Sequence, residues 1–199
     1  MFVTFEGVDG SGTTTQSELL RKHLEESERD VELTREPGGT ELGERVRELV
    51  LGDTRISPWA EACLFAAARA ELVAEVIQPA LDRGADVICD RYLDSSLAYQ
   101  GIARGLGVER VLALNLDAIR GVLPDVTFLL AVDPEVARRR SGPPGDRIER
   151  EGDGFLQQVE TAYGELASIF ANRITVIDAS KPIEEVAKEV RDKLPAGLS

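Results

Sequence analysis

Histidine and cysteine are scarce in this sequence. Its 199 residues include one histidine, His23, and two cysteines, Cys63 and Cys89, far apart in the chain. Zinc sites and disulfide frameworks need several such residues at short spacings, so the composition argues against both. We expect the two cysteines to be small buried core residues, because each falls in an apolar run, and His23 to be an ordinary helix residue.

Long apolar runs are also missing. No run approaches the ~20 residues that cross a bilayer, and the chain starts directly in a strand-like segment without the basic region of a secretion signal. The formal net charge of −13 argues against a polymeric nucleic acid as partner, because proteins that bind duplexes usually carry a basic surface. We therefore expect a cytoplasmic protein with no membrane partner. A small anionic substrate held by local arginines stays open.

Apolar runs of strand length alternate with helical stretches along the chain. The strand-like runs cover about 1–5, 31–34, 86–89, 125–131 and 173–177. This alternation predicts an α/β fold whose parallel sheet lies between helices. The nearly continuous apolar character predicts strands that are covered on both faces. We expect a single domain over 1–199, with ligands at the carboxyl ends of the strands.

A glycine-rich stretch joins the first predicted strand to a helical segment, and it reads Gly7-Val8-Asp9-Gly10-Ser11-Gly12-Thr13-Thr14-Thr15. Strand, glycine loop and helix are the setting of a phosphate-binding P-loop, in which backbone N–H groups and the helix N-terminus face a polyphosphate. That motif has lysine immediately after its second glycine. Here the position is occupied by Thr13, so the loop lacks its one positively charged side chain.

Charged residues follow the second and third predicted strands. The second is followed by a loop whose Pro-Gly-Gly predicts a stiff turn, in which Arg35 faces a phosphate. The third ends in Asp90-Arg91 beside the glycine loop, where the carboxylate can hold magnesium-bound water and the guanidinium can bind phosphate oxygens. The alternatives are an incidental arginine in a tight connection and a structural Asp–Arg pair.

Two further segments carry candidate ligand contacts. Ser57 to Arg83 is predicted to be helical and capped by Ser57, with Phe65 and Arg69 four residues apart on one face. The pair can sandwich and hydrogen bond a planar base, or it can be core packing with a surface arginine. After the fourth strand, five arginines flank a Gly/Pro loop at about 138–150. This pattern predicts a mobile lid, with a solvated basic face as the alternative.

Taken in order, these segments resemble the thymidylate kinases, a family of P-loop nucleoside monophosphate kinases. The resemblance covers nearly the whole chain and rests on these stretches: Phe5-Glu6-Gly7-Val8-Asp9-Gly10-Ser11-Gly12, Thr34-Arg35-Glu36-Pro37-Gly38-Gly39-Thr40, Phe65 with Arg69, Asp90-Arg91-Tyr92, Ser95-Ser96, Tyr99-Gln100-Gly101, Asp146-Arg147-Ile148-Glu149 and Tyr163. It implies a five-stranded parallel P-loop sheet with a lid, and a homodimer. It also implies transfer of the terminal phosphate of ATP to dTMP in dTTP synthesis, with Mg²⁺ accompanying ATP.

The resemblance further implies a role for each matching residue. The ATP site would consist of Gly7, Asp9, Gly10, Ser11, Gly12, Thr13, Thr14, Thr15, Arg138 and Arg140, and magnesium would be held by Thr14 and, through water, by Asp90. The dTMP site would consist of Arg35 and Arg91 at the phosphate, Asp9 near the 3′-hydroxyl, Phe65 stacked on thymine, Arg69 and Gln100 at its polar edge, Tyr99 in the space of a 2′-hydroxyl, Ser96 and Tyr163. Catalysis would rest on Asp9, Arg35, Arg91 and Arg147.

Thr13 departs from the family pattern, which has lysine at this position. Loss of one such preorganised donor typically costs about 10²–10³ in turnover, and a hydroxyl supplies a hydrogen bond without a charge. Three interpretations stay open: an active enzyme in which a lid arginine replaces the lysine, a slow kinase or nucleotide-binding protein without turnover, and a Thr13 that is not the natural residue. A kinase for another nucleoside monophosphate is a further alternative.

Overall fold

A parallel sheet occupies the centre of the molecule in the computed structural model, which describes residues 1–142 and 145–195. In this part of the chain the strands are β1 (Phe2–Glu6), β2 (Val31–Arg35), β3 (Asp86–Asp90), β4 (Val126–Ala131) and β5 (Ile174–Asp178). They lie in the order β2-β3-β1-β4-β5, and every neighbouring pair is parallel. The predicted five-stranded parallel α/β fold is confirmed, and all five strand-like runs are strands.

The sheet is buried because its strands are apolar on both faces. All five residues of β1 are buried, and the alternating Phe2 and Val3 belong to two different core clusters on opposite sides of the sheet. Thr4 faces Thr127 across the β1–β4 ladder, and their hydroxyls hydrogen bond at 2.7 Å. This pair removes the cost of burying two hydroxyls in the centre of the sheet.

Helices cover both faces of the sheet. The described α-helices are α1 (Thr13–Glu26), α2 (Glu41–Leu51), α3 (Pro58–Leu72), α4 (Gln78–Asp82), α5 (Leu93–Ser96), α6 (Val108–Ala118), α7 (Pro134–Ser141), α8 (Asp153–Ile169) and α9 (Ile183–Asp192). Two π-helical turns, Val73–Ile77 and Leu97–Ala103, extend α3 into α4 and continue α5. The helical prediction for Ser57 to Arg83 is therefore confirmed in all but its end residues.

Two local predictions are wrong. Ser57 occupies the N-cap position, with Pro58 at the first helical position, but its side chain makes no capping hydrogen bond. Cys63 is exposed, whereas Cys89 is buried as expected. The apolar neighbours of Cys63 in the sequence predict a core position, but Cys63 lies on the exposed face of α3. By contrast, Thr40 caps α2 as the sequence suggests, with its hydroxyl accepting from the Gly43 N–H at 2.9 Å.

The segment predicted as a lid is described only in part. Helix α7 carries Arg138 to Arg140, and a short 3₁₀ turn, Glu149–Glu151, follows. Pro143 and Pro144, in the middle of the predicted lid, lie outside the described residues. Within 1–142 and 145–195, no helix has the length and apolar character needed to cross a membrane.

Candidate active site

Two cavities meet at the carboxyl end of the sheet. We call the first the inner cavity; it is lined by Asp9, Glu36, Pro37, Arg47, Leu51, Phe65, Arg69, Arg91, Ser95, Ser96, Tyr99, Gln100, Asp146 and Ile148. We call the second the loop cavity; it is lined by Asp9, Gly10, Gly12, Thr13, Thr14, Thr15, Arg35, Glu36, Arg47, Asp90, Arg91, Arg140 and Ile183. Four residues belong to both linings and mark the junction: Asp9, Glu36, Arg47 and Arg91.

The glycine loop forms one wall of the loop cavity. Gly10 and Gly12 adopt positive φ angles of 79° and 98°, and α1 begins at the next residue, Thr13. A side chain at Gly10 would collide with the Ala137 carbonyl of α7, so only glycine fits there. The α1 N-terminus therefore opens onto the cavity, which is the arrangement that binds polyphosphate. Thr13 is only 7% exposed and brings no charge to this wall.

A threonine and an aspartate at this wall suit a magnesium ion. Thr14 Oγ1 donates to Asp90 Oδ2 at 2.5 Å, and within the described residues the buried Asp90 Oδ1 has no hydrogen-bond partner. Mg²⁺ takes oxygen ligands, keeps several waters and is often held by one or two side chains plus substrate phosphates. In the described part of the chain no three acidic, histidine or cysteine residues cluster. The donor set therefore fits an ion that arrives with a nucleotide.

Arg91 joins the glycine loop to the junction of the cavities. Its Nη2 lies 2.5 Å from Asp9 Oδ1, and its Nη1 donates to the Gly7 carbonyl at 2.6 Å. Burial by itself would lower the pKa of the Arg91 guanidinium, but the Asp9 charge holds that pKa well above its usual value. The strand β3 thus ends in a permanently charged group whose side chain is locked against the loop.

Arg35 lies on the wall of the loop cavity but is bound to a carboxylate of its own. Its Nη2 lies 2.8 Å from Glu44 Oε1, which also accepts from the Gly39 N–H at 2.9 Å. The Arg35 side chain is 51% exposed, so this pair is open to water and exchanges readily for another anion. Glu44 would have to release the guanidinium before Arg35 could bind a phosphate in the loop cavity.

Arg69 is placed in the inner cavity as the sequence suggests, yet its donors are used within the protein. The side chain is 1% exposed, and Nε donates to Glu36 Oε2 at 2.7 Å. Its Nη1 donates to Ser96 Oγ at 3.0 Å and to Asn115 Oδ1, and its Nη2 to the Tyr92 carbonyl at 3.0 Å. Arg69 therefore holds the wall of the cavity, and a hydrogen bond from it to a base stays a prediction.

Glu36 is the carboxylate that neutralises Arg69. Burial raises the pKa of Glu36 to about 7, although the Arg69 charge opposes the shift. Its Oε1 is buried and has no hydrogen-bond partner among the described residues, and the side chain lines both cavities. It follows Arg35 in the Arg-Glu-Pro-Gly-Gly-Thr stretch, and the sequence by itself assigns it no role in the site.

The remaining wall of the inner cavity is aromatic and polar. Phe65, Ser96, Tyr99 and Gln100 all line it. Gln100 Nε2 donates to Glu61 Oε1 at 2.9 Å, which leaves the Gln100 amide oxygen as the atom without a described partner inside the protein. Burial raises the pKa of the Tyr99 phenol above its ordinary value, so this hydroxyl stays protonated near neutral pH. An apolar face with a few oriented polar atoms suits a planar base.

Tyr163 lies behind this wall and lines neither cavity. Its hydroxyl donates to Glu6 Oε2 at 2.9 Å and contacts Ser95 Oγ at 2.9 Å, and its ring meets the Tyr99 ring edge-on at 6.4 Å. Burial raises the pKa of the buried Glu6 carboxyl to about 7, and the nearby Asp94 charge adds to the shift. The structure thus gives Tyr163 a supporting place beneath the Arg91 end of the cavity.

The predicted lid arginines occupy different places. Arg138 is exposed and pairs with Asp153 at 3.0 Å, away from both cavities. Arg140 lines the loop cavity, and its Nη1 donates to the Ala179 carbonyl at 3.0 Å. Arg147 turns inward, with Nη2 lying 2.6 Å from Glu61 Oε2 and Nε donating to the Val50 carbonyl at 3.0 Å. Among these three residues, only Arg140 reaches the cavity that the glycine loop bounds.

Besides Glu36, three further residues of the site were not predicted from the sequence. Arg47 lines both cavities, Glu61 anchors Gln100 and Arg147, and Asn115 holds Arg69. Nothing in the local sequence indicates that an acidic or amide residue on a helix is buried, so the burial of Glu61 and Asn115 could not be predicted. Arg47 lies seven residues beyond the Thr40 cap, on the same helix as the exposed Arg45. Only the packing of α2 against the sheet end distinguishes it.

Comparison with known proteins agrees with this geometry. The family model described as thymidylate kinase matches residues 5–190. A thymidylate kinase of Bifidobacterium longum is 51% identical over 191 residues, covering 94% of this chain and 93% of the relative. One from Pelotomaculum thermopropionicum is 47% identical over 210 residues, covering 100% and 97%. The crystal structure of a thymidylate kinase from Ehrlichia chaffeensis superposes with a TM-score of 0.83 at 36% identity, covering 98% of each chain. By sequence and by fold, the chain belongs to the thymidylate kinase family.

Proposed function

We propose that the chain is a dTMP kinase, which transfers the terminal phosphate of ATP to dTMP and releases dTDP and ADP. The observation that carries this proposal is the meeting of the two cavities at Asp9, Glu36, Arg47 and Arg91. One cavity is bounded by a phosphate-binding loop and the other by residues suited to a base. A donor and an acceptor bound in them bring their phosphates together at the junction, as in-line transfer requires.

The inner cavity is the proposed dTMP site. Phe65 offers an apolar face for thymine, and the Gln100 amide oxygen offers an acceptor for the base N–H. Tyr99, packed against Phe155 and Tyr163, is fixed where a 2′-hydroxyl would need room. Arg91 and Arg35 lie on the path to the loop cavity and are the proposed phosphate partners, with Asp9 beside them.

The loop cavity is the proposed ATP site. Gly10, Gly12, Thr13, Thr14 and Thr15 present backbone N–H groups and the α1 N-terminus to the phosphates. Arg140 of α7 also lines this cavity. Thr14 and Asp90 are the residues that would hold Mg²⁺, which when bound neutralises charge on the donor phosphates.

Phosphoryl transfer to dTMP requires positive charge and correctly placed phosphates more than it requires a general base. A phosphate monoester has its second pKa near ~6, so the acceptor is already an anion at neutral pH. What the protein must supply is fixed positive charge where the two phosphates repel each other. Arginines, backbone N–H groups and bound Mg²⁺ meet that need without histidine, which agrees with the scarcity of that residue.

A slow or non-catalytic nucleotide-binding protein is the second candidate, and Thr13 is the residue that suggested it. The family membership and the complete inner cavity do not favour it.

We also propose that the protein acts in the cytoplasm, that the whole chain is one catalytic domain, and that it forms a homodimer. Light scattering of the purified chain tests the dimer.

A coupled assay of ADP release on the purified chain tests the proposed activity. With ATP and Mg²⁺ present, we expect turnover with dTMP that clearly exceeds turnover with dUMP, UMP, CMP or AMP. Binding of dTMP without ADP release above background, together with recovery of activity in Thr13→Lys, would instead establish the second candidate. A preference for another monophosphate would show that the base pocket was misassigned.

A further inference from the structure

Arg47 lies at the junction of the two cavities and has no carboxylate partner among the described residues. Arg47 lines both cavities, and its Nη1 donates to the Pro37 carbonyl at 3.0 Å. Within residues 1–142 and 145–195, that carbonyl is its only hydrogen-bond partner, and no carboxylate pairs with it. Its Nε and Nη2 donors are therefore available to a ligand.

The other arginine of the junction, Arg91, and the buried Arg69 of the inner cavity already have carboxylate partners. Arg91 pairs with Asp9, and Glu36 pairs with Arg69. The two carboxylates of the junction are thus matched by two guanidinium groups, and Arg47 adds a positive charge that forms no ion pair within the described residues. A partly buried charge left in this state interacts strongly with any anion that enters, because screening by water is weaker there.

The glycine loop of this chain lacks a charge of the same kind. A P-loop lysine reaches the β- and γ-phosphates of the donor, and Thr13 cannot do so. Arg140 is the other cavity arginine without a described carboxylate partner. It lines only the loop cavity and not the inner cavity. Arg47 lies instead where the donor and acceptor phosphates meet, and a guanidinium can span two phosphate oxygens with parallel donors.

We infer that Arg47 contacts the transferring phosphoryl group and supplies the positive charge that Thr13 does not. This inference rests on the proposed dTMP kinase activity and adds a catalytic residue to it. No covalent step involves Arg47, whose guanidinium only stabilises negative charge as the phosphoryl group passes from ATP to dTMP.

The test is a double-mutant cycle between Arg47→Gln and Thr13→Lys. In the chain as written, we expect Arg47→Gln to lower kcat by about 10²–10³-fold, the loss typical of one preorganised donor. In the Thr13→Lys background we expect a loss below about tenfold, because the lysine restores the charge. Arg47 also lines the inner cavity, so calorimetry measures the dTMP dissociation constant in each variant, and we expect it to change by a smaller factor than kcat.

Arg45→Gln is the matched control. Arg45 lies on the same helix, is exposed, and pairs with Glu41 at 2.6 Å outside both cavities. We expect wild-type kcat from it. Arg47→Lys keeps the charge, and its kcat should stay within about tenfold of the wild type. It also serves as the comparison if Arg47→Gln melts at a lower temperature.

The outcomes separate this inference from the proposed function. Turnover in the wild type with no loss in Arg47→Gln overturns only the role of Arg47. An equal loss of kcat in both backgrounds identifies a structural role through Pro37 and also overturns it. An inactive wild type with an active Thr13→Lys shows that nothing replaces the lysine. Inactivity of both refutes the kinase proposal itself.

Discussion

Arg147 and Glu61 form a buried ion pair, with Arg147 Nη2 lying 2.6 Å from Glu61 Oε2. Glu61 is 1% exposed and also accepts from Arg104 and Gln100. The pair ties the segment after α7 to α3, next to the inner cavity. The catalytic role of Arg147 stays a prediction, and in this structure its guanidinium anchors the chain beside the inner cavity.

Removing Arg147 should therefore weaken the fold. Arg147→Ala leaves a buried carboxylate with only Arg104, at 3.3 Å, as its cationic partner. Breaking a buried pair in this way typically costs about 3–5 kcal/mol, and we expect the lower end because Arg104 remains. Urea unfolding measures the loss. Arg150→Ala is the control, since its partner Asp53 is largely exposed, and it should change stability by less than about 1 kcal/mol. Equal midpoints for the two variants would contradict the anchor.

Arg140 should matter more for nucleotide binding than its two helical neighbours. It lines the loop cavity, whereas Arg138 pairs with Asp153 and Arg139 lies 4.0 Å from Glu135. A hydrogen bond to a charged group contributes about 1.5–3 kcal/mol, so Arg140→Gln should raise the KM for ATP by roughly tenfold or more. Arg138→Gln and Arg139→Gln should change it by less than about threefold. Steady-state kinetics with saturating dTMP measures all three, and a uniform effect would speak against the placement of Arg140.

Asp90 should set the magnesium requirement. Its Oδ2 accepts from Thr14 and its Oδ1 is buried without a described partner. Loss of an outer-sphere partner typically lowers metal affinity about 10–100-fold, so Asp90→Asn should shift the magnesium titration of activity upward by that factor. Asp82→Asn, on the exposed end of α4, is the control. An unchanged titration in Asp90→Asn would place the ion elsewhere. Excess EDTA should abolish turnover in every variant.

The buried Glu6 should make stability depend on pH. Burial, reinforced by Asp94, raises its pKa from 4.5 to about 7 in the folded state. The folded protein therefore holds more protons than the unfolded chain between these values, and the free energy of unfolding falls as pH rises from about 4.5 to about 7. Glu6→Gln removes this contribution, so its stability should decline less over that interval. Urea denaturation at several pH values measures the difference, with the exposed Glu26→Gln as control. Parallel profiles for Glu6→Gln and wild type would show that Glu6 does not titrate there.

The fold was predictable because its signals are local. Each strand is a short apolar run, and each run becomes a strand within one or two residues of its predicted ends. The glycine loop could be located for the same reason, since strand, loop and helix are contiguous. Two local predictions were wrong, the side-chain cap at Ser57 and the burial of Cys63, because the orientation of a side chain depends on surroundings that the local pattern does not contain.

The partners of the site residues were not predictable. Arg69 and Glu36 are 33 positions apart, and Arg147 and Glu61 are 86 apart, so no pattern in the chain indicates either pair. The residue types identified the family and the chemistry, because phosphate, base and magnesium each require particular side chains.

By itself, then, the sequence determined which elements form and which ligands the protein can hold, because propensity, glycine geometry and side-chain chemistry act locally. Only the tertiary structure decided which arginines have their charge already neutralised and which remain available. It assigned Arg69 and Arg147 to buried carboxylates and left Arg47 with a backbone carbonyl. The partner of each arginine depends on how α2, α3 and the end of the sheet pack together. Only this packing makes Arg47 a candidate to replace the positive charge that Thr13 lacks.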